Sequence, residues 1–260
     1  MDEKVAFITG GATGIGKRMA FSLADNGMSI IITYRKSKKA ALALVDELQE
    51  MYHVKAIAIQ GDSSSEEDCR NILQKISETF GHVDIFIHNA GPYMHDRKPM
   101  TEYGSDEWKY IMDGNLNGFF YFAKELIPQM RSRNWGRVIT LGFERCETAP
   151  GWIYRSAFAA AKSGLTSLTR TLAAEEATHG ITVNMVCPGD IIGDWKEKEI
   201  RVARAGKDDT VPVGRPGTGE DIARVITFLC DEKSDFITGS IIPVTGGKDV
   251  LGKIYNLNSE

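Results

Sequence analysis

Three glycines near the amino terminus have the spacing of a phosphate-binding loop. The segment Val5–Gly16 reads VAFITGGATGIG, an apolar, β-branched run that breaks into glycines before an amphipathic helix. Gly10 permits a tight turn, Gly14 lets backbone N–H groups approach a pyrophosphate, and Gly16 allows the helix to pack closely on the strand. The first N–H groups of the helix then face the anion. The chemistry predicted for this loop is the binding of a dinucleotide.

A basic cluster follows the second apolar run, at the position that distinguishes the two nicotinamide cofactors in dinucleotide-binding folds. Residues 34–39 read YRKSKK and include no acidic residue to accept the ribose 2′-hydroxyl of NAD. Arg35, helped by Lys36 or Lys39, could instead pair with a 2′-phosphate through charge-assisted hydrogen bonds. This favours NADP(H); the alternative is a solvated basic turn before a helix.

Two polar residues, Asp62 and Ser63, follow the third apolar run. They could accept a hydrogen bond from the amino group of an adenine. Equally, one of the serines at 63–65, together with Asp68, could cap the next helix. The sequence leaves both roles open.

Short apolar runs alternate with longer segments of helical periodicity, which is typical of βαβ units around a parallel sheet. The pattern predicts an α/β fold, a three-layer, doubly wound domain. Helices are predicted at about 15–26, 38–51, 65–80, 106–131, 156–178 and 219–231. Strands are predicted at Val5–Thr9, Ser29–Tyr34, Val54–Gln60, Val83–His88, Arg137–Leu141, Ile181–Cys187 and Ile241–Val244.

Residues 189–219 interrupt this alternation. The segment is charged, rich in glycine and longer than a normal strand-to-helix connection. Because it follows the carboxyl end of the sixth strand, where long loops cover ligands, we predict a substrate lid. No repeat or proline-rich linker marks a second domain, so we expect one domain over residues 1–260, with a C-terminal tail at 248–260.

Composition and charge favour an enzyme of the cytoplasm. The 260 residues are 42% hydrophobic and 25% charged, which is ordinary for a globular protein with a large core. A net charge of −4 gives no indication of a nucleic-acid partner. The apolar runs are too short to span a bilayer, and the amino terminus has no signal-like segment. The four cysteines and five histidines lack metal-ligand spacing, so we predict reduced thiols and no metal.

Four further motifs resemble the short-chain dehydrogenase/reductase family, and the resemblance covers about residues 4–250. They are His88-Asn89-Ala90-Gly91, Asn115-Leu116-Asn117-Gly118, Lys162 near the start of a helix, and Pro188-Gly189. Residues 136–139, 161–165, 181–184, 237–240 and 245–247 are most similar to the 3-oxoacyl-acyl-carrier-protein reductases. The resemblance implies a seven-stranded, mostly parallel Rossmann sheet, a nicotinamide cofactor, and hydride transfer at a carbon that bears oxygen. It also implies a homotetramer packed through the two long central helices.

The resemblance further implies roles for individual residues. Asn115 would support a chain of water molecules that leads toward the lysine. Lys162 would bind the nicotinamide ribose hydroxyls and, by its charge, lower the pKa of a nearby phenol. The cofactor-binding set is Gly10, Thr13, Gly14, Ile15, Gly16, Arg35, Asp62, Ser63, Asn89, Ala90, Gly91, Lys162, Pro188 and Gly189.

The catalytic tyrosine and serine of the family are missing from this chain. The family tyrosine lies four residues before the lysine, one helical turn away, where this chain has Phe158. A phenyl ring cannot donate a proton. The family serine falls in the run Thr140–Arg145, which has none, and a threonine expected after the family proline is Gly193. Phe158 also continues the apolar series of its helix, so it fits a place in the core equally well.

Two interpretations of this loss remain. In the first, Tyr154 is the proton donor, as in the divergent enoyl-acyl-carrier-protein reductases. Seven residues separate Tyr154 from Lys162, against six in that subgroup, and on one helix the two would lie ~12 Å apart. Pro150-Gly151 and a candidate N-cap at Ser156 instead put Tyr154 on a loop able to fold back. In the second, the chain binds NADP without reduction, as a sensor or interaction protein.

We therefore predict an NADPH-dependent short-chain reductase that acts on a small carbonyl compound or an acyl thioester, including one on acyl carrier protein. Tyr154 would donate a proton, Lys162 would tune it, and Asn115 would hold a relay water. With an enoyl thioester, the same phenol would stabilise an enolate oxygen. The sequence does not decide between the two reactions.

Overall fold

Seven parallel strands form one sheet in the order β3-β2-β1-β4-β5-β6-β7. The computed structural model describes residues 4–93 and 96–249, so most of the tail expected at 248–260 lies outside the described residues. All seven predicted strands are confirmed, and so is the doubly wound α/β fold. The strands are β1 (Val5–Ile8), β2 (Ser29–Tyr34), β3 (Ala56–Gln60), β4 (Ile85–His88), β5 (Gly136–Leu141), β6 (Ile181–Pro188) and β7 (Ile241–Val244).

Helices cover both faces of the sheet, as a parallel sheet requires. They are α1 (Gly14–Asp25), α2 (Lys38–Tyr52), α3 (Glu66–Phe80), α4 (Ser105–Met112), α5 (Gly118–Ser132), α6 (Ser156–Glu176), α7 (Ile200–Ala203) and α8 (Gly219–Cys230). Short 3₁₀ turns lie at Met100–Glu102, Cys146–Thr148, Ala177–His179, Gly193–Glu197 and Glu232–Ser234. Among the residues described, no helix is long and apolar enough to cross a membrane.

The core consists of two layers, one on each face of the sheet. Successive strand residues point to opposite faces, so Ile30 and Ile32 pack on one side and Ile31 on the other. The first layer joins the strands to α1, α2 and α8, and the second joins them to α3, α5 and α6. Burying one large aliphatic or aromatic side chain completely stabilises the folded state by about 1.5–3 kcal/mol relative to leaving it exposed.

The helix predicted at 106–131 is interrupted. A π-helical turn at Asp113–Asn117 separates α4 from α5. The side-chain amide of Asn115 donates to the carbonyl of Ile111 at 2.9 Å, the acceptor that its own backbone N–H would use in an α-helix. The apolar pattern predicts the two helices on either side of this turn. It does not predict the π-helical turn itself, because that turn depends on the hydrogen bond of the Asn115 side chain.

Candidate functional site

The glycine loop between β1 and α1 has the backbone that its sequence predicts. Gly10 has a φ of 64° and Gly14 a φ of 63°, values in the left-handed region that favours glycine. A Cβ on Gly16 would lie 2.5 Å from the carbonyl oxygen of Gly10. The loop therefore keeps its backbone open at the start of a helix, which is the form of cradle that a pyrophosphate needs.

A cleft of about 370 Å³ opens beside this loop. It lies where β1 is flanked by β2 and β4, the point at which the strand order reverses and where doubly wound sheets bind their ligands. Tyr110 and Pro92, which sequence reasoning missed, also line it. Of the predicted cofactor residues, the cleft brings together Gly10, Thr13, Arg35, Asp62, Ser63, Ala90 and Gly91.

Arg35, the residue after β2, lines this cleft. One of its terminal nitrogens is 3.3 Å from a carboxylate oxygen of Asp62, and its guanidinium lies 5.4 Å from the ring centre of Tyr110. Ser65, not Ser63, caps α3, since its hydroxyl accepts from the backbone N–H of Asp68 at 3.2 Å. Capping therefore leaves Asp62 and Ser63 on the wall of the cleft.

Asn89 is not among the residues that line the cleft; it supports the glycine loop. Its side-chain amide donates to the carbonyls of Thr9 and Gly10 at 3.0 and 3.1 Å. The backbone N–H groups of Asn89 and Ala90 donate to the buried hydroxyl of Thr9 at 3.0 and 2.9 Å. These bonds join the carboxyl ends of β1 and β4 and hold the loop in position.

A carboxylate of the predicted lid bonds to the first turn of α1. Glu197 accepts a hydrogen bond from the backbone N–H of Gly14 at 2.7 Å, and Lys17 lies 3.7 Å from the same carboxylate. The carboxylate of Glu197 thus occupies a backbone N–H group at the N-terminus of α1, where the glycine motif predicts that a phosphate binds. Residues 189–219 are more ordered than the predicted loop, since they form the turn at Gly193–Glu197 and α7.

Lys162 is buried near the centre of the molecule, with 3% of its surface exposed. Burial lowers the pKa of this lysine to about 8. Burial and the nearby charge of Lys162 lower the pKa of His88, at the end of β4, to about 3, so this imidazole is neutral at physiological pH. No role for His88 was predicted.

Asn115 lies in the π-helical turn and is fully buried. Its amide nitrogen donates to the carbonyl of Pro92 at 2.8 Å. Its carbonyl oxygen is buried and accepts no hydrogen bond from any residue that the structure describes. A Cβ on Gly91 would lie 2.2 Å from that oxygen, so only a glycine fits there. Such a polar atom is available to a water or a ligand hydroxyl.

A second cavity, of about 400 Å³, is lined in part by four aromatic rings, those of Tyr93, Phe143, Trp152 and Phe158. The ring of Phe158 stands 5.6 Å from the ammonium of Lys162. The rings of Phe143 and Trp152 lie on the same wall with centres 5.0 Å apart and planes tilted by 42°. Phe158 therefore packs against the core and also faces the cavity. The described lining residues are Tyr93, Phe143, Glu144, Trp152, Phe158, Pro188, Gly189, Asp190, Ile191, Ile192 and Lys196.

The structure separates some residues that the sequence grouped. Pro188 and Gly189, predicted to bind cofactor, line the aromatic cavity and not the cleft beside the glycine loop. Tyr154 lies in a turn, as predicted, with a φ of 63°, and is not among the described residues that line the aromatic cavity. Ser156 was expected to cap α6, but it is the first helical residue and Arg155 occupies the N-cap.

Comparison with known proteins gives consistent matches over nearly the whole chain. Residues 10–249 match the family model described as enoyl-(acyl carrier protein) reductase. YtkK of Bacillus subtilis, named an oxidoreductase, is 46% identical over 250 residues, 95% of this chain and 97% of that protein. The 3-oxoacyl-[acyl-carrier-protein] reductase FabG of Haemophilus influenzae is 34% identical over 248 residues, 95% of this chain and 98% of that protein.

Solved structures agree with these matches. That of a protein from Bacillus thuringiensis described as a 3-oxoacyl-reductase superimposes with a TM-score of 0.88 at 45% identity, covering 96% of this chain and 99% of the other. Acetoin dehydrogenase YohF from Salmonella typhimurium gives a TM-score of 0.83 at 28% identity, covering 94% and 95%.

Proposed function

Because the chain belongs to the short-chain dehydrogenase/reductase family, we propose that it is an NADPH-dependent reductase of an acyl thioester or a similar carbonyl compound. The observation that carries the proposal is the placement of Lys162. The ammonium of this buried lysine lies 5.6 Å from the ring of Phe158, which lines the aromatic cavity. The cleft beside the glycine loop and the aromatic cavity both lie at the carboxyl edge of the sheet. Such a site can hold a cofactor and a small substrate side by side.

The residues that line the cleft fit a dinucleotide that carries a 2′-phosphate, as NADPH does. The glycine loop and the N-terminus of α1 would hold the pyrophosphate, and Arg35 would pair with a 2′-phosphate. Lys162 would hydrogen-bond the nicotinamide ribose hydroxyls. When bound, NADPH supplies a hydride to the substrate carbon.

Residues of the chain would then stabilise negative charge on the substrate oxygen and supply its proton. The ammonium of Lys162 favours negative charge on an oxygen nearby, because the site is buried and its dielectric is low. Asn115 would hold a relay water at its buried carbonyl oxygen. Tyr154 stays the sequence-based candidate for the proton donor. Within residues 4–93 and 96–249, no hydrogen bond of its hydroxyl supports or opposes that role.

The names of the relatives guide the choice of substrate. FabG proteins are named as 3-oxoacyl-[acyl-carrier-protein] reductases, so a 3-oxoacyl thioester is our first candidate. The description of the matching family model favours an enoyl thioester as the second. We also propose that the protein works in the cytoplasm as a homotetramer, with α5 and its exposed Phe120 at an interface.

The function is tested by NADPH oxidation with acetoacetyl-CoA and crotonyl-CoA, followed at 340 nm. Turnover with acetoacetyl-CoA is the expected result, and turnover with crotonyl-CoA alone would reassign the reaction to enoyl reduction. No oxidation over a wide carbonyl and enoyl panel, together with tight NADPH binding, would contradict the enzyme and favour the NADP-binding sensor.

The contact of Glu197 with the first turn of α1 predicts competition with the cofactor. Glu197→Gln should tighten NADPH binding by about fivefold at low salt, since a carboxylate at a helix N-terminus is worth up to about 1 kcal/mol and opposes a second anion there. The measurement is the Kd from nucleotide fluorescence.

A matched control is Asp209→Asn, which removes an equal charge from an exposed carboxylate of the same lid, paired with Lys207 at 3.0 Å. If both variants changed the Kd equally, the effect would be one of net charge and not of the contact at Gly14.

A further inference from the structure

Phe158 removes the family's proton donor, yet the cavity it faces does contain a phenol. Among the described residues that line the aromatic cavity, Tyr93 carries the only hydroxyl group. Glu144 and Asp190 offer carboxylates, which accept hydrogen bonds when charged. Lys196 belongs to the predicted lid. Its aliphatic stem lies close to Gly14 of the glycine loop, 3.8 Å from where a Cβ on that residue would be, and this is the predicted pyrophosphate end of the cofactor site. Tyr93 is therefore the candidate for a neutral acid.

The phenol of Tyr93 is held in place by Arg155. The guanidinium Nε donates to the phenol oxygen at 2.8 Å, and the guanidinium carbon lies 5.1 Å from the ring centre. A terminal nitrogen of Arg155 donates to the carbonyls of Asp96 and Tyr154, each at 2.8 Å. In this bond the arginine is the donor and the phenol oxygen the acceptor.

The ring of Tyr93 is also fixed against the ring that replaced the family tyrosine. It meets Phe158 edge-on, with ring centres 5.1 Å apart, and lies 6.3 Å from Trp152. Lys162 lies 5.6 Å from the other partner in this row, the ring of Phe158. The ring of Phe158 therefore has both the ammonium of Lys162 and the ring of Tyr93 as neighbours.

We infer that Tyr93 is the proton donor of this reductase and that Arg155 is its positioning residue. The inference rests on the proposed function. As hydride from NADPH forms the new C–H bond, the C=O π electrons move to the substrate oxygen. That oxygen takes the proton as the O–H bond of Tyr93 breaks. The carbonyl is reduced and NADPH is oxidised. The phenolate is stabilised by the adjacent guanidinium until solvent returns a proton.

The test compares variants of the full chain with acetoacetyl-CoA and NADPH. Tyr93→Phe should lower kcat by ~10²–10⁴, the usual contribution of a general acid, and leave the Kd for NADPH unchanged. Tyr52→Phe, a tyrosine on α2 that packs against Phe21, is the matched control and should keep the wild-type rate. Unchanged NADPH binding shows that each variant is folded.

Two further variants separate chemistry from packing. Arg155→Lys keeps a cation beside the phenol and should retain most of kcat, whereas Arg155→Met should lose at least tenfold; equal losses would reduce Arg155 to a packing role. Adding Phe158→Tyr to Tyr93→Phe should restore at least tenfold of the lost rate, because it returns a phenol to the same cavity one turn from Lys162.

The outcomes distinguish this inference from the proposed function. A wild type that reduces no thioester overturns the function, and the inference with it. A wild type that turns over while Tyr93→Phe keeps its rate overturns the inference alone. A loss of ~10² or more in Tyr154→Phe, with Tyr93→Phe near wild type, would return the role to Tyr154.

Discussion

Replacing Lys162 by methionine should lower kcat/KM for NADPH-dependent reduction by about 10³-fold. The ammonium lies 5.6 Å from the Phe158 ring on the wall of the aromatic cavity, and we expect it to bind the ribose and to stabilise charge on the reacting oxygen. Burial lowers the pKa of Lys162 to about 8, so the wild-type rate should fall as the pH rises through about 8 and the ammonium loses its proton. The measurement is kcat/KM from pH 6 to 9.5.

The same substitution should raise the stability of the cofactor-free protein. The pKa of Lys162 lies below its ordinary value of 10.5, so burying the charged form costs free energy at every pH below about 8. That cost fades between pH 8 and 10.5, where the unfolded chain binds the proton and the folded protein does not. Methionine fills a similar volume without charge and should gain up to ~3 kcal/mol at pH 7, measured as a higher denaturation midpoint. A variant that lost stability and activity together would instead indicate a structural lysine.

Arg35→Asp should reverse the choice of nucleotide. We expect the wild type to bind NADPH at least tenfold more tightly than NADH, a difference of about 1.4 kcal/mol, because Arg35 can pair with the 2′-phosphate. Aspartate at this position repels that phosphate and can accept the 2′-hydroxyl of NADH. The ratio of the two affinities should therefore change by about 100-fold, as measured by fluorescence titration of both nucleotides.

Arg70→Asp is a charge-matched control, since Arg70 is an exposed arginine of α3 that pairs with Glu66 within its own helix. Its nucleotide preference should remain that of the wild type. Equal affinities of the wild type for NADPH and NADH would contradict the prediction directly. The ion pair between Arg35 and Asp62 would then be a surface contact without a part in recognition.

The alternation of strands and helices was predictable because it depends on local patterns of apolar residues. Strands buried on both faces contain apolar runs, such as the three isoleucines Ile30–Ile32 of β2, and a helix with one covered face repeats its apolar residues every three or four positions. The glycine loop was predictable for the same reason, since a positive φ at Gly10 or Gly14 is a constraint on a single residue.

The sequence did not predict the π-helical turn or the N-cap of α6, because these depend on how the folded chain places the residues around them. The π-helical turn forms around Asn115, whose amide also bonds Pro92, 23 residues away. Ser156 has the composition of an N-cap, but the chain entering α6 makes Arg155 the cap. Tyr154 was predicted to lie on a loop and does, yet its spacing from Lys162 could not say which cavity its ring would reach.

Local sequence patterns were enough to predict the fold class and the glycine loop, and to identify the basic residue after β2 and the loss of the family's tyrosine. The tertiary structure decided which side chains meet at the two cavities. Arg155 reaches Tyr93 across 62 positions of the chain, and Glu197 reaches Gly14 across 183. Periodicity records whether a residue faces the core or the solvent. It does not record which distant segments the order of the strands brings to one edge of the sheet.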